Sequence, residues 1–241
     1  MCLSPSCLAN AELAFKQAAQ PVYLGPNPDA FTVLMAECDE EMQKILRMLA
    51  ANGSVPNWAD AMIQALLKYH TQAHYLGQAK WDQQMQFLAV NNATKVVHIG
   101  KQVINPRTYD TIIVPGEADY LAGFVRDLIA KDKKYFEEDG TIRLDNVLNR
   151  MRMYQGKMRG SEGIGVLEAG PVNELWKWEL GGAEDHCEDC PFLASLVPVT
   201  RDEWFSTPGA GDTQCLFGCR CKFVAVKSGV TMADPIERRA A

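Results

Sequence analysis

The sequence predicts an α+β protein, with a mainly helical N-terminal part followed by a small Gly/Cys-rich, strand-containing C-terminal module. Three observations predict it. Apolar residues in much of the first 150 positions recur three and four apart, the period of a helix with one buried face. The cysteines are unevenly spread: Cys2, Cys7 and Cys38 stand alone, whereas Cys187, Cys190, Cys215, Cys219 and Cys221 fall within 35 residues, flanked by Trp176, Trp178 and Trp204. Glycines multiply after position 160, where two short segments alternate apolar and polar side chains in the manner of strands. The expected organisation is a helical region over 1–145, a Cys-rich module over 146–227 and a loose tail over 228–241. A module so rich in glycine has little apolar core of its own, and its clustered thiols are suited to staple it around a metal ion.

The elements follow in order. Pro28 after Asn27 reads as a first-turn proline behind a cap. From there Phe31, Leu34, Met35, Cys38, Met42, Ile45, Leu46 and Leu49 form an amphipathic stripe, which Asn52-Gly53 ends. A second helix starts near Pro56-Asn57 and carries Trp58, Met62, Ala65, Leu66, Tyr69 and Ala73, with an extension through Trp81, Met85 and Leu88. The β-branched runs Val96-Val97 and Ile112-Ile113-Val114 predict extended or irregular chain over 96–115. Helices resume over 117–136 and 142–158, the second marked by Leu144, Val147, Leu148 and Met151. A strand over 172–180 places Trp176, Trp178 and Leu180 on one face, and another over 221–226 does the same for Cys221, Phe223 and Ala225.

Composition narrows the function. Lys and Arg total 24 against 30 Asp and Glu in 241 residues, a formal charge of −6. Duplex-DNA binders normally carry net positive charge to displace counterions, so this balance argues against one. No stretch approaches the ~18 uncharged apolar residues of a membrane span. The first residues lack a basic start followed by an apolar run, so no signal peptide is expected. A protein made in a cytoplasm, with no membrane partner, keeps its thiols reduced or on a metal.

The strongest chemical signal is Cys187-Glu-Asp-Cys190, then 24 intervening residues, then Cys215-Leu-Phe-Gly-Cys219-Arg-Cys221. A C-x2-C knuckle presents two sulfurs to one ion, and a second pair from the later segment closes a four-sulfur zinc site. Five cysteines compete for four places, and His186 is a further substitute. Such a closed site has no open coordination position, so it is structural and not catalytic. The same cysteines also read as unligated buried thiols, or as disulfides formed after assembly.

Other constellations are weaker. His186-Cys187-Glu188 spells the H-x-E of zinc deaminases, but the downstream pair is C-x3-C preceded by Gln214 instead of Pro. His70 and His74 share a helix face without the E-x-x-H arrangement of zinc proteases, which leaves them as packing or hydrogen-bonding side chains. Arg150, Arg152, Lys157 and Arg159 make a local basic run that reads either as a solvated helix face or as a contact for phosphate or an acidic partner. Glu184, Asp185, Glu188 and Asp189 make the first knuckle acidic and poorly suited to touching DNA. There is no Walker A, G-x-G-x-x-G or G-x-S-x-G signature, and Gly209-Ala-Gly211-Asp212 reads as a turn. No enzyme is expected.

Tyr154-Gln-Gly156-Lys-Met-Arg159-Gly160, Trp176-Lys-Trp178 ahead of Cys187-Glu-Asp-Cys190, and Gly211-Asp-Thr-Gln-Cys215 ahead of Cys219-Arg-Cys221 together resemble the C-terminal domain of Mu F-like minor head proteins of tailed bacteriophages. The resemblance covers about 145–226, and its most specific parts are the C-x2-C knuckle and the terminal C-R-C. The family carries a His-Pro a few residues before its C-R-C, where this chain has Cys215-Leu-Phe-Gly218, so the ligand set stays open among the five cysteines. The resemblance implies a virion component, present in few copies near the portal or inside the shell after assembly in the host cytoplasm. It would be oligomeric in the virion, with a structural zinc module and docking on portal, major capsid or neck proteins. The second reading is a zinc-containing nucleic-acid-binding or regulatory protein, and the third a zinc deaminase or hydrolase using Glu188.

Overall fold

The computed structural model describes residues 30–52, 54–78, 80–81, 117–182, 186–211 and 213–232. These are mostly helical, with a small two-stranded antiparallel sheet and a cysteine-rich cluster near the C terminus. Among the described residues no helix is long and apolar enough to cross a membrane.

Helix α1 spans Ala30–Asn52 and α2 spans Val55–Gln78. A two-residue link joins them, and they pack antiparallel, with the Tyr69 hydroxyl donating to Glu37 O at 3.2 Å. All eight members of the predicted α1 stripe are buried, because a 3.6-residue period turns each of them to the same side. Helix α3 (Glu117–Ile129) closes one end, where Phe124 meets Trp58 edge-on at 5.3 Å and Tyr135 at 4.9 Å. It is shorter than the predicted 117–136: Lys131 takes a left-handed φ of 53°, and a turn carries the chain to Tyr135. Helix α4 (Leu144–Gly156) lies against α1, and a buried Gln155 donates to Met35 O at 2.9 Å.

Helix α5 (Met158–Ala169) lies where glycines multiply and where the sequence pattern assigned no element beyond 158. Three interior glycines each cost about 1 kcal/mol of helix propensity relative to Ala. Their return is proximity. Helices α2 and α5 pack so closely that a Cβ on Gly165 would coincide with His74 O, and one on Gly77 with Glu162 O. On other sides of α5, Gly160 admits Ala210 and Gly163 admits the Met232 side chain.

Polar groups then bridge the crossing. His70 is fully buried, with Nδ1 at 2.8 Å from Ser161 Oγ and Nε2 at 3.0 Å from Tyr154 O. Burial holds its pKa down to about 4, so the ring is neutral near pH 7. A carbonyl can only accept, so Nε2 carries the proton and Nδ1 accepts from the serine hydroxyl. At the end of α2, Lys80 pairs with the fully buried Glu162 at 2.8 Å and donates to Thr231 O at 2.6 Å, while Trp81 Nε1 donates to Val166 O at 2.8 Å. Trp81 therefore sits in a turn after α2 and not in a continuing helix; Met85 and Leu88 lie outside the described residues, as do 96–115.

Strands β1 (Trp176–Glu179) and β2 (Lys222–Ala225) pair with Trp176 opposite Ala225 and Trp178 opposite Phe223. Single bridges to Val199 and Thr231 extend the pair on either side. The alternation places Trp176, Trp178, Cys221, Phe223 and Ala225 in a second buried cluster, separate from the one formed by residues 31–158. Leu180 falls beyond the end of β1 and is exposed. The expected loose tail is corrected in part: Met232 is 2% exposed against Gly163, and its N–H donates to Phe223 O at 3.2 Å. The remaining tail residues, 233–241, are outside the described residues.

The helix crossing makes a sharp prediction. Gly165→Ala or Gly77→Ala destabilises the protein by about 1–3 kcal/mol or more, because the helices must separate. Gly182→Ala, with nothing near its added methyl, changes stability by less than about 0.5 kcal/mol. Denaturant unfolding of the three variants checks the contrast.

Candidate metal centre

Two separate chain segments supply the cysteines. Cys187 lies in the turn before a short helix α6 (Asp189–Ser195), and Cys190 lies in its first turn. The second segment leaves the turn at 208–211, where Gly209 and Gly211 take φ of 79° and 103°. Cys215 and Cys219 bracket a 3-10 turn, Leu216–Gly218, in which Leu216 itself is held at φ 50°. A non-glycine residue there is strained, and the bonds from Gly218 N–H to Cys215 O at 2.9 Å and from Leu216 N–H to Thr213 O at 2.8 Å hold it in place. Cys221 directly precedes β2.

The structure brings all five predicted cysteines together. Cys187, Cys190 and Cys215 form a triangle with Sγ separations of 3.4, 3.3 and 3.5 Å. Cys190, Cys219 and Cys221 form a second group, entirely buried, with 3.7 Å between Cys190 and Cys219. A disulfide needs about 2.05 Å, and none of the described cysteines is in one. Sulfurs around a tetrahedral zinc, each about 2.3 Å from the ion, lie about 3.8 Å apart. The four separations fall slightly inside or at that edge, so each group of three thiols, sharing Cys190, could hold a soft cation, and among the described residues no four of the sulfurs lie within 4.8 Å of one another. His186 is half-exposed and does not join the sulfurs.

Backbone and side-chain donors shape the cluster. At Cys187 burial opposes ionisation, but hydrogen bonding with Cys215 and Cys190 outweighs it and brings the pKa below its ordinary value. Cys219 and Cys221 act as a pair. The hydrogen bond between them pushes Cys219 up and Cys221 down, and Cys221 is further favoured by the Gly181 N–H and the adjacent Trp178 indole. Gly181 can come this close because it has no Cβ; one would coincide with Arg220 O.

Asp189 and Arg159 were read from sequence as surface charges, and the structure gives both an internal task. Asp189 Oδ2 accepts from Gln214 N–H at 2.7 Å, which ties the first knuckle to the residue beside Cys215. Arg159 is buried, and its guanidinium donates to Cys219 O at 3.0 Å, joining α5 to the cluster. An acidic residue inside C-x-x-C and an arginine between Met158 and Gly160 were the available signals. The remaining basic residues do not make one exposed face with Arg159. Arg152 pairs with buried Asp39 at 3.4 Å, Arg150 covers the Tyr154 ring at 5.3 Å, and Lys157 lies under Gly211. The reason is geometric: α4 and α5 are covered by α1 and by the C-terminal module, so their cations point into neighbours.

A comparison with protein-family models found no match to this chain, and comparisons with curated proteins and with solved structures found none either.

Asp189→Ala leaves all five thiols in place and removes only the tie between the segments. If the cluster holds a soft cation such as zinc, its affinity is expected to fall about tenfold, as when a supporting contact around a metal site is lost. A competition titration against a chromophoric chelator measures it, and an unchanged affinity contradicts the positioning role.

Proposed function

We propose that this chain is a structural protein of a tailed-phage virion, a minor head or head–tail connection component with a zinc-stapled C-terminal module. The observation that carries the reading is the convergence of Cys187, Cys190, Cys215, Cys219 and Cys221 from two segments whose spacing resembles the Mu F-like pattern. The stretch from Tyr154 to Gly160, also part of that resemblance, supports it by lying where the helices meet the module. Zinc is the favoured ion, since an all-sulfur tetrahedron suits it and cross-links a module with a small core.

The role is non-catalytic in this reading. A closed four-sulfur site would have no water position of the kind a hydrolase or deaminase uses, and Glu188 is exposed beside the cysteines. The nucleic-acid reading is weakened by Arg159 and Arg152, whose guanidinium groups are engaged inside the protein. Partners are portal, major capsid or neck proteins, and the chain is oligomeric on them.

The test is co-expression with the portal, major capsid and neck proteins encoded by the same phage. Co-sedimentation with one of these assemblies, in few copies per particle, is expected. Failure to associate with any of them rules out the virion role, whatever the metal content.

A further inference from the structure

The five thiols do not form one cage. The Sγ atoms of Cys187, Cys190 and Cys215 lie within 4.8 Å of one another, and so do those of Cys190, Cys219 and Cys221, but no four of the described sulfurs do. Cys190 is the vertex that the two triangles share. A tetrahedral ion with sulfur at about 2.3 Å needs edges of about 3.8 Å. Gathering four of these sulfurs on one such ion would bring a sulfur of one triangle at least about 1 Å closer to a sulfur of the other.

Each triangle is sound by itself. The outer one has edges of 3.3, 3.4 and 3.5 Å, so an ion about 2.3 Å from each sulfur sits about 1.2 Å off their plane. Cys187 and Cys215 are only half-buried, which places this triangle on the solvent side of the cluster. The inner triangle is buried at all three corners, and its 3.7 Å from Cys190 to Cys219 matches a bonding edge. Both triangles draw sulfurs from both chain segments, so an ion in either one cross-links the module. Their supports are also separate: Asp189 holds the backbone beside Cys215, and Arg159 holds the carbonyl of Cys219.

Resting on the metal reading above, we propose that the centre holds two soft cations bridged by the Cys190 sulfur, an outer ion on Cys187 and Cys215 and an inner ion on Cys219 and Cys221. A thiolate sulfur keeps lone pairs after binding one soft cation and can bind a second, as sulfur does in metal clusters. All five thiols are then used, whereas a single tetrahedral ion leaves one idle. Two cations share this chemistry: Zn2+, which adds a ligand from outside the sulfurs, and Cu+, for which three thiolates suffice.

Native mass spectrometry of the full chain, saturated separately with Zn2+ and with Cu+ under reducing conditions, counts the ions. Two per chain is expected, and the cation that reaches two identifies the one the cluster takes. One per chain with both cations overturns the bridge and leaves the staple standing. No uptake of either defeats the metal reading and this proposal with it. Cys187→Ser and Cys221→Ser should each keep one ion, and Cys190→Ser should lose both; two ions bound without Cys190 overturn the proposal. Cadmium-113 NMR of the wild-type chain does not depend on how the variants fold. Two resonances, both coupled to the Cys190 β-protons, support the bridge, and a single resonance overturns it.

Discussion

The backbone contact between α2 and α5 is the constraint on which the rest of the described structure depends. Gly77 and Gly165 remove the side chains that would keep the helices apart, and the polar groups of both can then reach across. His70 joins Ser161 and Tyr154, Lys80 finds Glu162, and Trp81 finds the Val166 carbonyl. A buried charge such as Glu162 is costly without its partner, so Lys80 and Glu162 depend on each other. The sides of α5 that are free of α2 are themselves open at Gly160 and Gly163, which receive Ala210 and Met232 from the C-terminal module. One helix thus adjoins both buried clusters.

The C-terminal module has a different problem. Its buried set is small, centred on Trp176, Trp178 and Phe223, and its sheet is a pair of four-residue strands. An isolated two-stranded sheet is marginal in water. Phe223 meets Trp178 at 5.6 Å and Trp204 at 5.0 Å, and the five sulfurs complete the same cluster from the other side. A metal held by those sulfurs would join the 187–190 knuckle to the strand that carries Phe223, closing a loop that the apolar contacts alone close weakly.

The helical stripes were legible because period is a property of sequence alone: the α1 stripe from Phe31 to Leu49 and the α2 stripe from Trp58 to Ala73 are buried. Strand faces were legible for the same reason at Trp176, Trp178, Cys221, Phe223 and Ala225. Helix α5 was not, since its glycines lower helix propensity and their compensation is a neighbour 90 residues away in the chain. Met232 was missed likewise, because nothing local distinguishes a methionine that fills a glycine notch from one in a frayed end. Cysteine spacing identified the five thiols that meet but not their division into two groups of three sharing Cys190, which depends on how the two segments pack. Charge sign was readable at Arg159, Arg152 and Asp189; direction was not, because it is set by which element covers the helix.

The metal staple is the central claim, and hydrogen–deuterium exchange of the metal-loaded chain before and after chelation tests it most directly. Chelation should strip protection from the amides of residues 176–179 and 222–225 while those of α1 and α2 keep theirs, since the helical core does not contain the sulfurs. Equal protection in both states, or a chain that carries no metal to remove, would contradict it.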